Sequence, residues 1–209
     1  MERYRIYCSG PLFCPEEVGG MTAIAQVLED AGFDTFLPHR DGLEAYVLCF
    51  SNTPFASRAS GIRTRVDHAI FCLDVYELVQ RCDAVVCSLN GRVPDEGMIV
   101  EAALAYAAGR PLVLFKNDVR APFGGYDNSM LTSLVQGKIV RRLGDLPAAL
   151  RDAMARKTEP APLAGDLLRA ASRGRRISSL LESLPGAMPR KKWDRDVIDR
   201  VLEESLIEE

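Results

Sequence analysis

Short, continuous apolar runs alternate with amphipathic stretches along the chain up to about residue 156. The apolar runs predict five buried strands, at Arg5–Cys8, Phe33–Leu37, Ala84–Leu89, Pro111–Phe115 and Lys138–Arg141. The amphipathic stretches predict helices at 15–31, Val66–Arg81, Glu96–Ala108, Asn128–Val135 and Leu146–Arg156. Strands that are apolar throughout and alternate with helices are typical of a parallel sheet covered on both faces. We therefore predict an α/β fold with a doubly wound, five-stranded parallel sheet of the flavodoxin or Rossmann-like class.

Two segments fall outside this alternation. The polar stretch from about residue 39 to 64 has little periodicity and is long enough for a lid, a binding loop or an insertion. Residues 158–162 have the composition of a linker, and helical patterns follow at about 163–184 and 193–207. We therefore predict a first domain over residues 1–156 and a helical C-terminal extension over residues 157–209.

Composition and charge exclude several classes of protein. Of the 209 residues, 47% are apolar and 26% are charged, which is the balance of an ordinary globular protein. A net charge of -3 gives no broad basic surface, so we expect no nucleic acid polymer as a partner. No apolar run approaches the roughly 20 residues that cross a bilayer, and the N-terminus has no signal-peptide pattern. We expect no membrane association and a cytoplasmic location.

The cysteines and histidines do not have the spacing of a metal site. None of the six cysteines forms a CxxC pair, and most lie in apolar segments, so we interpret them as reduced thiols in the core. His39 and His68 lie 29 positions apart, with no cysteine or carboxylate at metal-ligand spacing. We therefore expect neither a metal nor another cofactor.

The predicted helix Glu96–Ala108 carries one carboxylate among apolar residues. Glu101 is the only charged residue between Glu96 and Arg110, and the helix is apolar on almost every face. Such a pattern predicts a buried helix, in which a carboxylate is costly unless it is paired or lies in a cleft. Glu101 is therefore either a salt-bridged structural residue or part of a site in the crevice at the carboxyl ends of the strands.

Asp95 lies at the start of the same helix, six residues before Glu101. An aspartate at this position is a good helix N-cap, and a cap at a strand-end crevice also faces a bound ligand. Two carboxylates at one crevice are the minimum for cleaving a glycosidic bond, because one attacks or stabilises the anomeric carbon and the other moves a proton to the leaving group. The chain has no phosphate-binding glycine loop, nucleophile elbow or HExxH motif that would favour another chemistry.

An ordered set of motifs resembles the nucleoside 2-deoxyribosyltransferase family. The motifs span about residues 4–142 and are Ile6–Phe13 (IYCSGPLF), Asp83–Val86, Asn90–Gly97 followed by Glu101, Ala105-x-x-x-Gly109-Arg-Pro111 and Asp118-x-Arg120. By this resemblance Glu101 is the nucleophile that attacks C1′ of a 2′-deoxyribose, expels the nucleobase and forms a covalent glycosyl-enzyme. Asp95 would protonate the departing base and deprotonate the incoming one.

The resemblance also implies substrate-binding residues, which are Tyr7, Gly10, Phe13, Asp74, Gly97, Asn128 and Met130. Tyr7 would orient the nucleophile and Phe13 would pack against the base, although both are also compatible with simple core aromatics. Asn128 would reach a sugar hydroxyl bound to a neighbouring subunit, which implies a homo-oligomer with shared active sites. The alternative role of Asn128 is a helix N-cap.

The activity that this resemblance implies is the transfer of 2-deoxyribose between nucleobases, with deoxynucleosides and free nucleobases as substrates. Two other functions stay open: a hydrolase that cleaves nucleosides or 5′-nucleotides on the same scaffold, and a non-catalytic nucleotide-sensing module. The chain departs from the family at Ala103, where a glycine is usual, and at Asp74, which lies nine rather than eight residues before Asp83. On a helix, that difference of one residue turns the side chain by about 100°.

Overall fold

A computed structural model describes residues 3–44, 60–91, 93–120, 126–156, 161–183 and 201, and it contains a sheet of parallel strands. The strands are β1 (Arg5–Ser9), β2 (Asp34–Phe36), β3 (Ala84–Ser88), β4 (Leu112–Phe115) and β5 (Ile139–Val140). They form one five-stranded sheet in the order β2-β1-β3-β4-β5, which confirms the predicted doubly wound class. Successive strands are added in opposite directions on either side of β1, so the ligand-binding crevice of such a sheet is expected beyond the carboxyl ends of β1 and β3.

The helices follow the predicted alternation, with one difference in the polar stretch. They are α1 (Pro15–Asp30), α2 (Pro38–Asp41), α3 (Ser60–Tyr76), α4 (Glu96–Ala107), α5 (Ser129–Thr132), α6 (Leu146–Ala155) and α7 (Gly165–Ser183). A π-helical segment, Glu77–Arg81, continues α3, and 3₁₀ turns lie at Ser133–Val135 and Leu143–Asp145. Helices α2 and α3 both extend into the stretch from 39 to 64, for which the sequence suggested a lid, a binding loop or an insertion. The helical residues inside that stretch are few and mostly polar, so they have no apolar period that would predict a helix. Residues 45–59 lie outside the described part of the chain.

Each strand of the sheet presents alternate residues to its two faces. On one face, Ile6 and Cys8 of β1 join a buried apolar cluster with α1 and α6. On the other face lies α4, which packs against β1, β3 and β4. Because side chains alternate along a strand, Tyr7 and Ser9 leave β1 on the face that α4 covers. The sheet therefore separates an apolar layer from the layer that carries the predicted carboxylates.

The described chain divides into two compact units. The first consists of Met1–Leu37 and Arg81–Pro162 and contains the sheet; the second consists of Pro38–Gln80 and Leu163–Glu209. The division after residue 156 that the sequence suggests stays a prediction. Helix α7 corresponds to the helix predicted over 163–184, whereas the helix predicted over 193–207 lies outside the described residues except for residue 201.

Inside the second unit, α3 and α7 pack so closely that one position requires a glycine. A Cβ at Gly174 would lie 1.9 Å from the carbonyl oxygen of Cys72, which is far inside van der Waals contact. The Arg173 guanidinium donates to His68 Nε2 at 2.9 Å across the same pair of helices.

Among all the described helices, none combines the length and apolar character needed to cross a membrane.

The buried thiols agree with the sequence-based interpretation of a reduced core. Cys8, Cys72, Cys82 and Cys87 are buried and Cys14 is half-buried, and each of these five described cysteines is a thiol that is not in a disulfide. The sixth cysteine, Cys49, lies outside the described residues.

Candidate active site

Helix α4 begins at the edge of the sheet where β3 ends, and Asp95 is its N-cap. The carboxylate oxygen Oδ2 of Asp95 accepts the backbone N–H of Met98 at 2.7 Å. Gly97 leaves room for this carboxylate, because a Cβ at residue 97 would lie 3.2 Å from Asp95 Oδ2. The capping role considered for Asp95 is therefore present, and the cap holds its half-buried carboxylate at the start of the helix.

The carboxylate of Glu101 is held by two hydroxyl groups from β1. Tyr7 Oη donates to Glu101 Oε1 at 2.6 Å, and the Ser9 hydroxyl donates to Glu101 Oε2. Both hydroxyl side chains are fully buried, whereas Glu101 is half-buried. An ionised carboxylate is a pure acceptor, so two O–H donors suit its charged form. The isolated carboxylate in the apolar helix is thus oriented by neutral groups at the carboxyl end of β1.

Ser9 is the residue of this cluster that the motifs did not single out as a partner of Glu101. The strand period could have indicated Ser9: Tyr7 and Ser9 are two residues apart in β1, so their side chains point to the same face of the sheet and can contact the same group. What the sequence lacks is the identity of that group, since Ser9 and Glu101 are 92 positions apart. Only the packing of α4 on β1 brings them together.

Aromatic and thiol neighbours fix the surroundings of Glu101. The Tyr7 ring stacks on Phe36 of β2, with ring centroids 5.4 Å apart and an interplanar angle of 30°. Cys87 of β3 pairs in register with Ser9. Burial raises the pKa of the Cys87 thiol, and the negative charge of Glu101 raises it further. Cys87 therefore stays a neutral thiol beside the carboxylate, and the charged group at this place is Glu101.

Helix α4 is less buried than its apolar sequence predicts. Met98, Ala102 and Ala105 are buried against the sheet, but Val100 and Tyr106 are 54% and 59% exposed. The expectation of a helix buried on almost every face is therefore wrong for the single chain. The physical reason is geometric: residues 98, 102 and 105 form one stripe at helical spacing, and the sheet covers only that stripe.

The loops that follow β3 and β4 are joined by hydrogen bonds beside the cap of α4. Asn90 Oδ1 accepts the backbone N–H groups of Asn117 and Asp118 at 3.0 and 3.1 Å, and Asn90 Nδ2 donates to Asn117 Oδ1 at 2.7 Å. Asp118 Oδ2 accepts the backbone N–H of Gly91 at 3.1 Å. Hydrogen bonds from Arg120 lower the pKa of the Asp118 carboxyl well below its usual range. These contacts hold the segment that leads to Asp95.

Two predicted substrate-binding residues lie in the loop after β1. Close packing leaves no room for a side chain at Gly10, because a Cβ there would lie 2.5 Å from Met21 Sδ and 2.9 Å from Ser88 Cβ. Phe13 is 81% exposed, so the alternative of a core aromatic is wrong for this residue. Its backbone N–H donates to the Glu17 carboxylate at 2.8 Å.

Asn128 and Met130 follow β4 in the chain, directly after a residue that belongs to a buried ion pair. Asn128 caps α5 by accepting the backbone N–H of Met130 at 2.9 Å, so the capping role considered for it is present. The Met130 side chain is 81% exposed. Lys116 at the end of β4 and Asp127 form an ion pair whose side chains are 1% and 4% exposed. That pair fixes the chain directly before Asn128.

Asp74, the remaining predicted substrate-binding residue, belongs to the second compact unit. There it forms a hydrogen bond with Glu44, and burial raises the pKa of the Glu44 carboxyl. A carboxylic acid next to a carboxylate is the arrangement expected when two such groups share one proton.

Within the described ranges, no group of three or more His, Cys, Asp or Glu side chains is placed to hold a metal ion.

Comparison with known proteins adds a family to this geometry. A family profile described as Nucleoside 2-deoxyribosyltransferase matches residues 6–131, which include Tyr7, Asp95 and Glu101. No curated protein matches the chain in sequence.

The chain is similar to solved structures at low sequence identity. A conserved protein from Enterococcus faecalis V583 is 22% identical, with a TM-score of 0.50, over 72% of this chain and 99% of that chain. A 2-deoxyribosyltransferase from Bacillus psychrosaccharolyticus is 20% identical, with a TM-score of 0.48, over 77% of this chain and 99% of that chain. A 2-desoxiribosyltransferase from Leishmania mexicana is 20% identical, with a TM-score of 0.42, over 74% of this chain and 99% of that chain.

Proposed function

Because this chain belongs to the nucleoside 2-deoxyribosyltransferase family, we propose that it transfers 2-deoxyribose between nucleobases through a covalent bond to Glu101. The observation that carries the proposal is the Glu101 carboxylate, held at one oxygen by Tyr7 Oη at 2.6 Å and at the other by Ser9. A nucleophile must be oriented before it reacts, and a buried phenol at hydrogen-bond distance does this without taking the negative charge away.

The proposed reaction has two displacements at the same carbon. A Glu101 oxygen attacks C1′ of the deoxyribose while the bond from C1′ to the base nitrogen breaks, and its electron pair leaves with the base. A second base then attacks C1′, and the electron pair of the sugar–Glu101 bond returns to the carboxylate. Two inversions give net retention of configuration.

Asp95 is proposed to handle the proton on the base. Its N-cap bond to Met98 uses Oδ2, and we assign Oδ1 to the proton that the departing base takes up and the incoming base gives back. The helix N-terminus thereby places a carboxylate at the crevice without a separate loop to carry it.

The proposed enzyme is a homo-oligomer whose subunits share active sites. The exposed apolar residues of α4, among them Val100 and Tyr106, and the exposed Met130 after β4 form the surface expected to contact a second copy. Light scattering after gel filtration measures the oligomer, and we expect Val100→Glu to shift it toward the monomer. A monomeric wild-type protein would contradict this part of the proposal.

The test of the function is a reaction that separates transfer from hydrolysis. Incubation with a deoxynucleoside and a different free base is expected to produce a new deoxynucleoside. Release of free sugar alone would instead identify a nucleoside or 5′-nucleotide hydrolase, and binding without either product would identify a nucleotide-sensing module. A 2-fluorinated deoxynucleoside analogue should trap an adduct that mass spectrometry maps to Glu101; an adduct at another residue would overturn the assignment.

A further inference from the structure

We propose that Ser9 is a positioning residue for the nucleophile, because its hydroxyl fixes the second oxygen of the Glu101 carboxylate and gives that group one orientation toward the sugar. This inference rests on the proposed function and goes beyond it by giving a role to a residue for which the family resemblance implies none. Ser9 acts through Glu101 and has no assigned contact with substrate.

Two donors hold the carboxylate more firmly than one. The two oxygens turn together about the bond to the carboxyl carbon, so each hydrogen bond opposes that rotation. Tyr7 donates to Oε1, and Ser9 donates to Oε2 from a fully buried position on the same strand. The Tyr7 ring is itself fixed by Phe36, so two immobile donors define the plane of the carboxylate.

The two donors also match the changes in charge during the proposed reaction. When a Glu101 oxygen bonds to C1′, the carboxylate becomes an ester and loses its negative charge. When the second base displaces the sugar, the electron pair returns to Glu101 and the two hydroxyls stabilise the charge that reappears. Hydrogen bonds to an ionised group contribute more than those between neutral groups. Loss of Ser9 is therefore expected to slow turnover without weakening the binding of the substrate.

Ser178 provides a matched control. Its hydroxyl is also buried and donates to a buried glutamate, Glu77 Oε1, at 3.1 Å, but it belongs to the second compact unit. Ser178→Ala therefore removes the same kind of hydrogen bond without touching Glu101. Ser9→Cys keeps a weak donor of similar size at position 9.

The first measurement is the separation of kcat from KM for deoxyribose transfer. We expect Ser9→Ala to lower kcat roughly ten- to a hundredfold, the effect of one hydrogen bond to a charged group, with little change in KM. Ser9→Cys should lie between Ser9→Ala and the wild type, and Ser178→Ala should keep the wild-type kcat. A Ser9→Ala variant with wild-type kcat would overturn the proposal.

The second measurement does not depend on activity. The ¹³C resonance of the Glu101 carboxyl, assigned by its absence in Glu101→Gln, is titrated in the wild type, Ser9→Ala and Ser178→Ala. Among the described residues, the titratable groups that face Glu101 include Tyr7 on β1 and Cys87 on β3, and Asp95 lies six residues earlier at the start of α4. Removing a donor to the ionised form should move the Glu101 midpoint to higher pH in Ser9→Ala and leave it in place in Ser178→Ala.

The two measurements separate the failure of this inference from the failure of the proposed function. If no nucleoside is turned over but the midpoint rises in Ser9→Ala, the transferase assignment fails and the contact between Ser9 and Glu101 stands. If the wild type transfers deoxyribose and Ser9→Ala changes neither kcat nor the midpoint, Ser9 has no positioning role and the function stands. If Ser9→Ala does not fold, Ser9→Cys decides by the same two readouts.

Discussion

Two charged side chains at the carboxyl edge of the sheet, the half-buried Glu101 and the buried Lys116, have different kinds of partner. At the end of β1 and the start of α4, the Glu101 carboxylate accepts hydrogen bonds from the neutral hydroxyls of Tyr7 and Ser9. At the end of β4, the Lys116 ammonium is paired with the carboxylate of Asp127. An ion pair holds two opposite charges together and stabilises the position of a loop, whereas hydroxyl donors orient a carboxylate through neutral groups. Under the proposed function, the place at Glu101 serves the reaction and the place at Lys116 serves the structure.

The largest expected effect is on the chemical side of this comparison. Glu101→Gln removes the nucleophile but keeps a side chain of the same shape, so we expect transfer activity to fall by roughly three orders of magnitude or more. The free energy of unfolding should stay at or above the wild-type value, because a group held for reaction is not held for stability. Assays of transfer and urea unfolding check both parts.

Glu96→Gln is the control for that substitution. Glu96 is an exposed residue in the first turn of the same helix, so its loss of charge should leave transfer unchanged. An equal loss of activity in both variants would show that any negative charge on α4 affects transfer, and it would contradict the assignment of Glu101 as the nucleophile.

The second effect is on the structural side. Lys116→Met leaves the Asp127 carboxylate buried without its counter-ion, and breaking a buried pair in this way costs about 3–5 kcal/mol of unfolding free energy. The double variant Lys116→Met/Asp127→Leu removes both charges and should regain most of this loss. Urea unfolding of the single and double variants measures the difference; a double variant as unstable as the single one would contradict the interpretation as a structural ion pair.

The smallest effect concerns a more exposed pair, Asp118 with Arg120. Because Arg120 lowers the pKa of Asp118 in the folded protein, the pair stabilises the fold at pH values above the usual aspartate range, about 4. That contribution is lost as pH falls through the lowered pKa. The gap in unfolding free energy between wild type and Asp118→Asn should therefore be small at pH 7, since Arg120 is 62% exposed, and should shrink as the solution is acidified. A gap that widens in acid would contradict this sign.

The sequence was sufficient to predict the sheet, and it singles out Glu101 as a candidate site residue. Apolar runs predicted all five strands. The clearest run belongs to the central strand β3, which is buried throughout and therefore has no polar side to break the run. Glu101 was found because a single charge in an apolar helix is energetically unusual. The same apolar pattern misled the prediction of burial for α4, since apolar residues occur both in a core and on a surface that contacts another protein.

The contacts of the site could not be predicted, because they join residues far apart in the chain. Ser9 and Glu101 are 92 positions apart, and nothing local to either residue indicates the other. The pair of Lys116 and Asp127 spans a loop that reads only as a Gly, Pro and Asp-rich segment. Asp74 was placed by resemblance, and its hydrogen bond with Glu44 depends on tertiary packing that the helix period does not encode.

Strand β1 gives the candidate site an all-or-none character. Tyr7 and Ser9 share one pairing register, with Tyr7 opposite Phe36 of β2 and Ser9 opposite Cys87 of β3. A shift of one residue would exchange both hydroxyls at once for their apolar neighbours along the strand. Before β1 has paired with β2 and β3 during folding, neither oxygen of Glu101 has its hydroxyl donor. We therefore expect activity to appear in the same step in which β1 pairs with both neighbouring strands.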